Sequence, residues 1–167
     1  MSKILAIDPS TRCIGWCVLD TRADAIRDYG AFKPRQDVGL DDKLKECHEW
    51  LAELMAESRR GYDVFAFELP VYHRNVKTLR TLAQFAGVLR LAARPWAEQT
   101  IEILPAERRL ALGVPIAMSG ARAKAHIRRL VNAIYGLELK ADQHDIADAI
   151  AVAVAAQKRM IEMGLQS

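Results

Sequence analysis

The chain has 167 residues, 24 basic against 21 acidic side chains and three cysteines. That length fits one domain, 1–167, with a core of its own, and an odd number of cysteines without a CxxC spacing speaks against a disulfide framework or a zinc site. No apolar run reaches about 18 residues, and the N-terminus MSKILAIDPS has no long hydrophobic leader, so the expectation is a cytoplasmic protein with no membrane span.

Residues 3–8, KILAID, form a short apolar run of the kind buried on both faces of a sheet, and Pro9 and Ser10 end it. CIGWCVLD (13–20) and IRDYGAF (26–32) follow, separated by a polar turn at 21–25, which predicts three strands in an antiparallel meander with Cys13 and Cys17 as reduced thiols. Leu40, Leu44, Cys47, Leu51, Leu54 and Met55 recur at helical spacing up to Ser58, and Gly61 stops the segment. A helix there returns the chain to YDVFAFEL (62–69) as a parallel fourth strand. A second long helix is predicted over 75–93 and a fifth strand at TIEIL (100–104). A short helix then ends near Gly113, another reaches about Tyr135, and the last runs from Asp142 to about Met163. The order predicts an α/β fold, a mixed five-stranded sheet of three antiparallel and then two parallel strands flanked by helices.

Four carboxylates interrupt or abut these apolar runs: Asp8 in KILAIDPST, Glu68 in DVFAFELP, and Asp145 and Asp148 in DQHDIADAIAVAVAA. A buried, unpaired carboxylate is too costly to keep ionised, so something must compensate them. Each has an ordinary reading when taken alone. Asp-Pro starts turns, Glu68 can be a surface acid at a strand end, and acids suit the first helical turn, where Asp142 could cap. The helical pair is the harder case, because Asp145 and Asp148 are three residues apart on one side of a helix in which 149–156 are all small or apolar. Hard oxygen ligands in such a group suit Mg²⁺ or Mn²⁺, and two such ions can clamp a phosphodiester for in-line hydrolysis. With those four set aside as ligands, the remaining 17 acids face the 24 bases, a balance of +7 that favours a phosphate partner. His144 adjoins Asp145, but consecutive helical residues point about 100° apart, so a structural or DNA-facing role is expected of it.

IDPSTRCIGW resembles the first-strand signature of the RuvC family of Holliday-junction resolvases, with its ID-P stretch, nearby glycine and aromatic. AFELP resembles the family's fourth-strand glutamate, and HDIADAIAVAVA its C-terminal helix. The resemblance implies an RNase H-like fold, a homodimer, and cleavage of two opposed strands of a four-way DNA junction. It implies that Asp8, Glu68, Asp145 and Asp148 are catalytic, metal-binding acids, with Asp8 bridging two Mg²⁺ ions about 3.5 to 4 Å apart and Mn²⁺ able to substitute. The products would carry 5′-phosphate and 3′-hydroxyl ends.

The resemblance also implies a junction-facing segment after the glutamate, here LPVYHRNVKTLRTLAQFAG. Val71 stands where relatives often carry Phe, leaving Tyr72 as the candidate wedge, and Arg74, Lys77 and Arg80 recur every three residues as candidate phosphate contacts or a solvated face. In ILPAERRLALGVPIAMSGARAKAHIRRL, Arg108 stands at the lysine position of the family's PxxVK motif and Lys124 at its second lysine, while Arg122, Arg128 and Arg129 add a basic helix. Ser10 and Val71 depart from the pattern and point to a divergent or phage-type member. An RNase H-like nuclease acting on other structured nucleic acids and a non-catalytic junction-binding module remain as alternatives. An actin-like or sugar-kinase phosphate loop at DPSTRCIGW would need a second domain that a chain of this length lacks.

Overall fold

Five strands, β1 (Lys3–Asp8), β2 (Ile14–Asp20), β3 (Ala25–Phe32), β4 (Tyr62–Glu68) and β5 (Ala97–Ile103), form one sheet in the order β3-β2-β1-β4-β5. The computed structural model describes residues 3–58, 61–71 and 75–164. β1 pairs antiparallel with β2 and β2 with β3, whereas β4 runs parallel to both β1 and β5. This is the mixed sheet expected from the element order. Ile7 is registered on Phe67, so the next residues, Asp8 and Glu68, leave adjoining strands at the same edge.

β5 starts three residues before the TIEIL run. Ala97, Glu98 and Gln99 are poor strand formers, but Tyr62 pairs with Ala97 and Val64 with Gln99, and the Tyr62 amide donates to the Trp96 carbonyl at 2.8 Å. Tertiary pairing thus extends the strand beyond its local signal.

Both faces of the sheet are covered, which is why β1 is apolar throughout. Leu5, Ile7, Phe65 and Phe67 face α1 (Leu40–Ala56) and α2 (Val76–Ala93), whose Cys47, Leu51, Phe85 and Leu89 complete that core. Ile4, Ala6, Val64 and Ala66 face the other layer, built with α4 (Gly120–Tyr135) and α5 (His144–Glu162). The short α3 (Pro105–Ala111) packs beside α5. The apolar α2 residues Phe85, Ala86 and Leu89 belong to the monomer's core. Among the described residues no helix is long and apolar enough to cross a membrane. The three cysteines are free thiols; Cys17 and Cys47 are buried and Cys13 is half-buried.

α5 is buried from Ile146 through Ala156 without interruption. Its alanines let the helix lie close to β1 and β2, and the closest approach is at Gly15, where an added Cβ would lie 1.9 Å from the Asp145 carbonyl oxygen. The helix begins at His144 rather than at Asp142, and Asp142 does not cap it. Gln143 is the N-cap residue, and its side chain instead accepts from the Lys140 amide at 2.8 Å.

Because Gly15 is registered on Asp8 and touches the Asp145 backbone, it ties a strand end to a helix start. The obstacle to a side chain there is backbone, which cannot swing aside. Gly15→Ala is therefore expected to cost about 1–3 kcal/mol, the usual range for overpacking, read as a lower urea midpoint. An unchanged midpoint would contradict this packing.

Candidate active site

Asp8 ends β1, Glu68 ends β4, and Asp145 and Asp148 occupy the first two turns of α5. Three of these carboxylates meet a single cation. From α3, the Arg108 guanidinium places Nε 2.8 Å from Glu68 Oε2, and Nη1 3.3 Å from Asp148 Oδ2 and 3.9 Å from Asp8 Oδ1. The group is well covered: the Asp148 side chain is 2% exposed, Arg108 12% and Asp8 15%.

The short Arg108–Glu68 contact is an ion pair by distance but not an aligned hydrogen bond. Arg108 Nε, Glu68 Oε2 and Asp148 Oδ1 are all buried without a hydrogen-bond partner, and buried charged groups in that condition are costly. Asp145 stands slightly apart. The His144 ring nitrogen Nε2 lies 3.3 Å from its Oδ1, and Lys124 Nζ lies 3.9 Å from Asp145 and 4.0 Å from Asp148. The Cys13 thiol donates to the Asp145 side chain, and its pKa is pushed up to about 11 by burial first and by this carboxylate second.

The electrostatics follow from this crowding. Burial, then the Asp148 and Glu68 charges, raise Asp8 well above the usual carboxylate range, against the pull of Arg108. Burial also raises Asp148 and Glu68, with Arg108 the main opposing influence on each. Burial disfavours charge on Arg108, but Asp148, Glu68 and Asp8 together outweigh it and hold the guanidinium protonated.

The donor set fits a hard divalent cation. It offers carboxylate oxygens only from the strand ends and α5, two of them buried and unsatisfied, and like charges that repel one another until a cation joins them. The acids are not yet gathered around a common centre, however. Among the described residues no three His, Cys, Asp or Glu side chains stand at ion-holding spacing, and the cations that reach them are Arg108 and, at longer range, Lys124.

A family model described as crossover junction endodeoxyribonuclease RuvC matches residues 4–156, a span that includes all four acids. The chain belongs to the RuvC family. The RuvC protein of Moorella thermoacetica is 33% identical over 153 residues, covering 90% of this chain and 88% of that one. The RuvC of Synechocystis is 30% identical over 156 residues, with the same shares. A solved structure described as Thermus thermophilus RuvC in complex with Holliday junction substrate superposes with a TM-score of 0.77 at 18% identity, covering 98% of this chain and 97% of that one. The fold is accordingly that of RuvC, in the RNase H-like class.

The other residues singled out in the sequence of this RuvC-family chain are placed unevenly. Lys77 and Arg80 are exposed on α2. Tyr72 and Arg74 lie outside the described residues. Val71 and Lys124 line a cleft of about 280 Å³ that opens beside Asp8, Glu68 and Arg108. Arg108, expected to meet DNA, points instead into the acids. Sequence reasoning missed that orientation and the contact of Cys13 with Asp145. The signal for the first lay in PAERR, where Glu107 accepts from the Leu104 amide at 2.7 Å and sets the phase of α3.

The raised carboxyls fix the sign of a pH dependence. Their unfolded values lie near 4, so between there and the raised folded values the native state holds more protons than the unfolded chain. Stability of the ion-free protein should therefore fall as pH rises through that window and level off above it. Melting temperatures taken from about pH 4 to about pH 8 check this, with Asp8→Asn flattening the decline. A profile that Asp8→Asn leaves unaltered would contradict it.

Proposed function

We propose that the chain is a metal-dependent endonuclease that resolves four-way and related branched DNA, working as a single RNase H-like domain over 1–167, as a homodimer, in the cytoplasm. The observation that carries this reading is the convergence of Asp8, Glu68 and Asp148 from β1, β4 and α5 in a RuvC-family chain.

In this reading Asp8, Glu68, Asp145 and Asp148 would hold two Mg²⁺ ions, or Mn²⁺ in their place, which would supply an activated water and charge stabilisation at the leaving 3′ oxygen, for 5′-phosphate and 3′-hydroxyl ends. The protein's own contribution is positioning. Asp8 and Glu68 are fixed by strand pairing, and Asp148 is fixed by a helix with no exposed turn over its first three windings. Lys124, half-exposed at the rim, can approach a phosphate oxygen, and Lys77 and Arg80 lie free to track a backbone further out. Tyr72 and Arg74 complete this set as the candidate wedge and a further phosphate contact. Binding through such cations weakens steeply with salt.

A dimer has a surface to use. Val76, Ala83, Gly87 and Leu91 form one outward stripe along α2, with Val76 67% and Leu91 68% exposed. Helical spacing puts all four on one face, together with the exposed Arg80.

Asp8→Asn should reduce Mg²⁺-dependent nicking of a synthetic four-way junction by about a hundredfold or more, while a gel shift without metal still shows junction binding. Cleavage of a junction, a flap and an RNA:DNA hybrid side by side tests the substrate class. Undiminished nicking by the variant would overturn the role of Asp8, and preference for the hybrid would overturn the junction.

A further inference from the structure

We propose that Arg108 is the built-in counter-ion of the acid cluster in the ion-free protein, and that its side chain must turn out of the cluster for divalent cations to bind. This rests on the reading of the acids as a metal site. Arg108 is then a positioning residue that sets how tightly the ions are held, in addition to any contact with DNA.

Four observations carry it. First, the guanidinium stands within ion-pair distance of Glu68, Asp148 and Asp8 together, where a divalent cation would need the same oxygens. Lys124 Nζ already stands 4.0 Å from Asp148 Oδ2 at the rim, and a divalent cation placed among the same oxygens would be strongly repelled by a guanidinium that stayed there. Second, the guanidinium is held by charge more than by fit. An arginine serving as a permanent structural bridge uses its planar fork for aligned, paired hydrogen bonds, yet here Nε and Glu68 Oε2 lie 2.8 Å apart unaligned and Asp148 Oδ1 has no hydrogen-bond partner, which leaves a hydrogen bond to the Asp148 side chain in place of a paired fork.

Third, the backbone beneath Arg108 is pinned on both sides. Glu107 accepts from the Leu104 amide at 2.7 Å and from Arg159 Nη2 at 2.5 Å, and Arg159 Nη1 also donates to the Glu102 carbonyl at 2.6 Å. Arg109 donates to the carbonyls of Pro105, Ile116 and Met118 at 3.3, 3.1 and 3.0 Å. Lys158 Nζ holds the Ala111 carbonyl at 2.7 Å. Any movement of Arg108 is therefore confined to its side chain. Fourth, that side chain has somewhere to go, because the cleft of about 280 Å³ lined by Ser119, Ala123 and Lys124 borders it directly. Turned outward, the guanidinium enters the space a DNA phosphate would approach, where its fork can pair two oxygens.

The test is Mn²⁺ binding to the DNA-free protein, followed by the electron paramagnetic resonance signal of the free ion. Arg108→Gln should bind Mn²⁺ roughly tenfold more tightly than wild type, with circular dichroism confirming the fold. Equal or weaker binding by the variant would overturn the proposal while leaving the metal site standing. Failure of wild type and variant alike to bind Mn²⁺ would remove the metal site itself. Should Arg108→Gln not fold, the wild type still decides the matter. Its Arg108 Nε–H resonance, assigned by its absence from Arg108→Lys, should shift as Mg²⁺ is added, and a resonance that Mg²⁺ leaves in place would overturn the proposal.

Discussion

The close seating of α5 on the sheet is the constraint from which the site follows. A helix whose buried run consists largely of alanine can approach strands more nearly than one carrying leucines, and at Gly15 the approach is so tight that only hydrogen fits. That contact delivers Asp145 and Asp148 to the edge where β1 and β4 release Asp8 and Glu68. Removing bulk from the interface gives up apolar area, and the compensation lies in the length of the contact, which runs without a break from Ile146 to Ala156. The small residues are thus a positioning device before they are a core.

Bringing the acids together creates the second problem, that of like charges gathered where water is scarce. Their cost is visible in the raised carboxyls and in the buried oxygens left without partners. A protein tuned only for stability would place apolar side chains here, since even a well-paired buried ion pair rarely improves on them. Retention of the charges therefore speaks for chemistry. The same reasoning explains why tethered cations are not enough: Arg108 meets three carboxylates and Lys124 two, yet Glu68 Oε2 and Asp148 Oδ1 are left without a hydrogen bond.

Most of this architecture was legible in the residues, because the signals were local and strong. Apolar runs bounded by proline or polar turns marked β1 and β4, the 3.6-residue rhythm marked α1, and acids at the head of an apolar helix marked the pair on α5. What was not legible depended on tertiary contacts. Ala97–Gln99 become strand only because β4 is there to pair with them. Asp142 looked like a helix cap, but the chain enters α5 two residues later, with Gln143 turned back toward Lys140. The inward turn of Arg108 could not be read from RR, because which arginine faces the acids depends on how α3 is held against α5.

The identity of the cation at position 108 has a consequence for the balance of the site. A lysine there would offer a compact charge that solvates easily and leaves an acid cluster readily, whereas a guanidinium spans more than one acid at once and is less strongly hydrated. In this chain Nε and Nη1 do reach different carboxylates, Glu68 on one side and Asp148 and Asp8 on the other. Arginine therefore holds the ion-free cluster more firmly and yields it only to a stronger cation. In the arrangement proposed above, a guanidinium turned out of the acids would lie on the cleft side of the site, where its fork could pair a phosphate. One side chain on a fixed helix can thus link the state of the acids to the arrival of DNA without any movement of the fold.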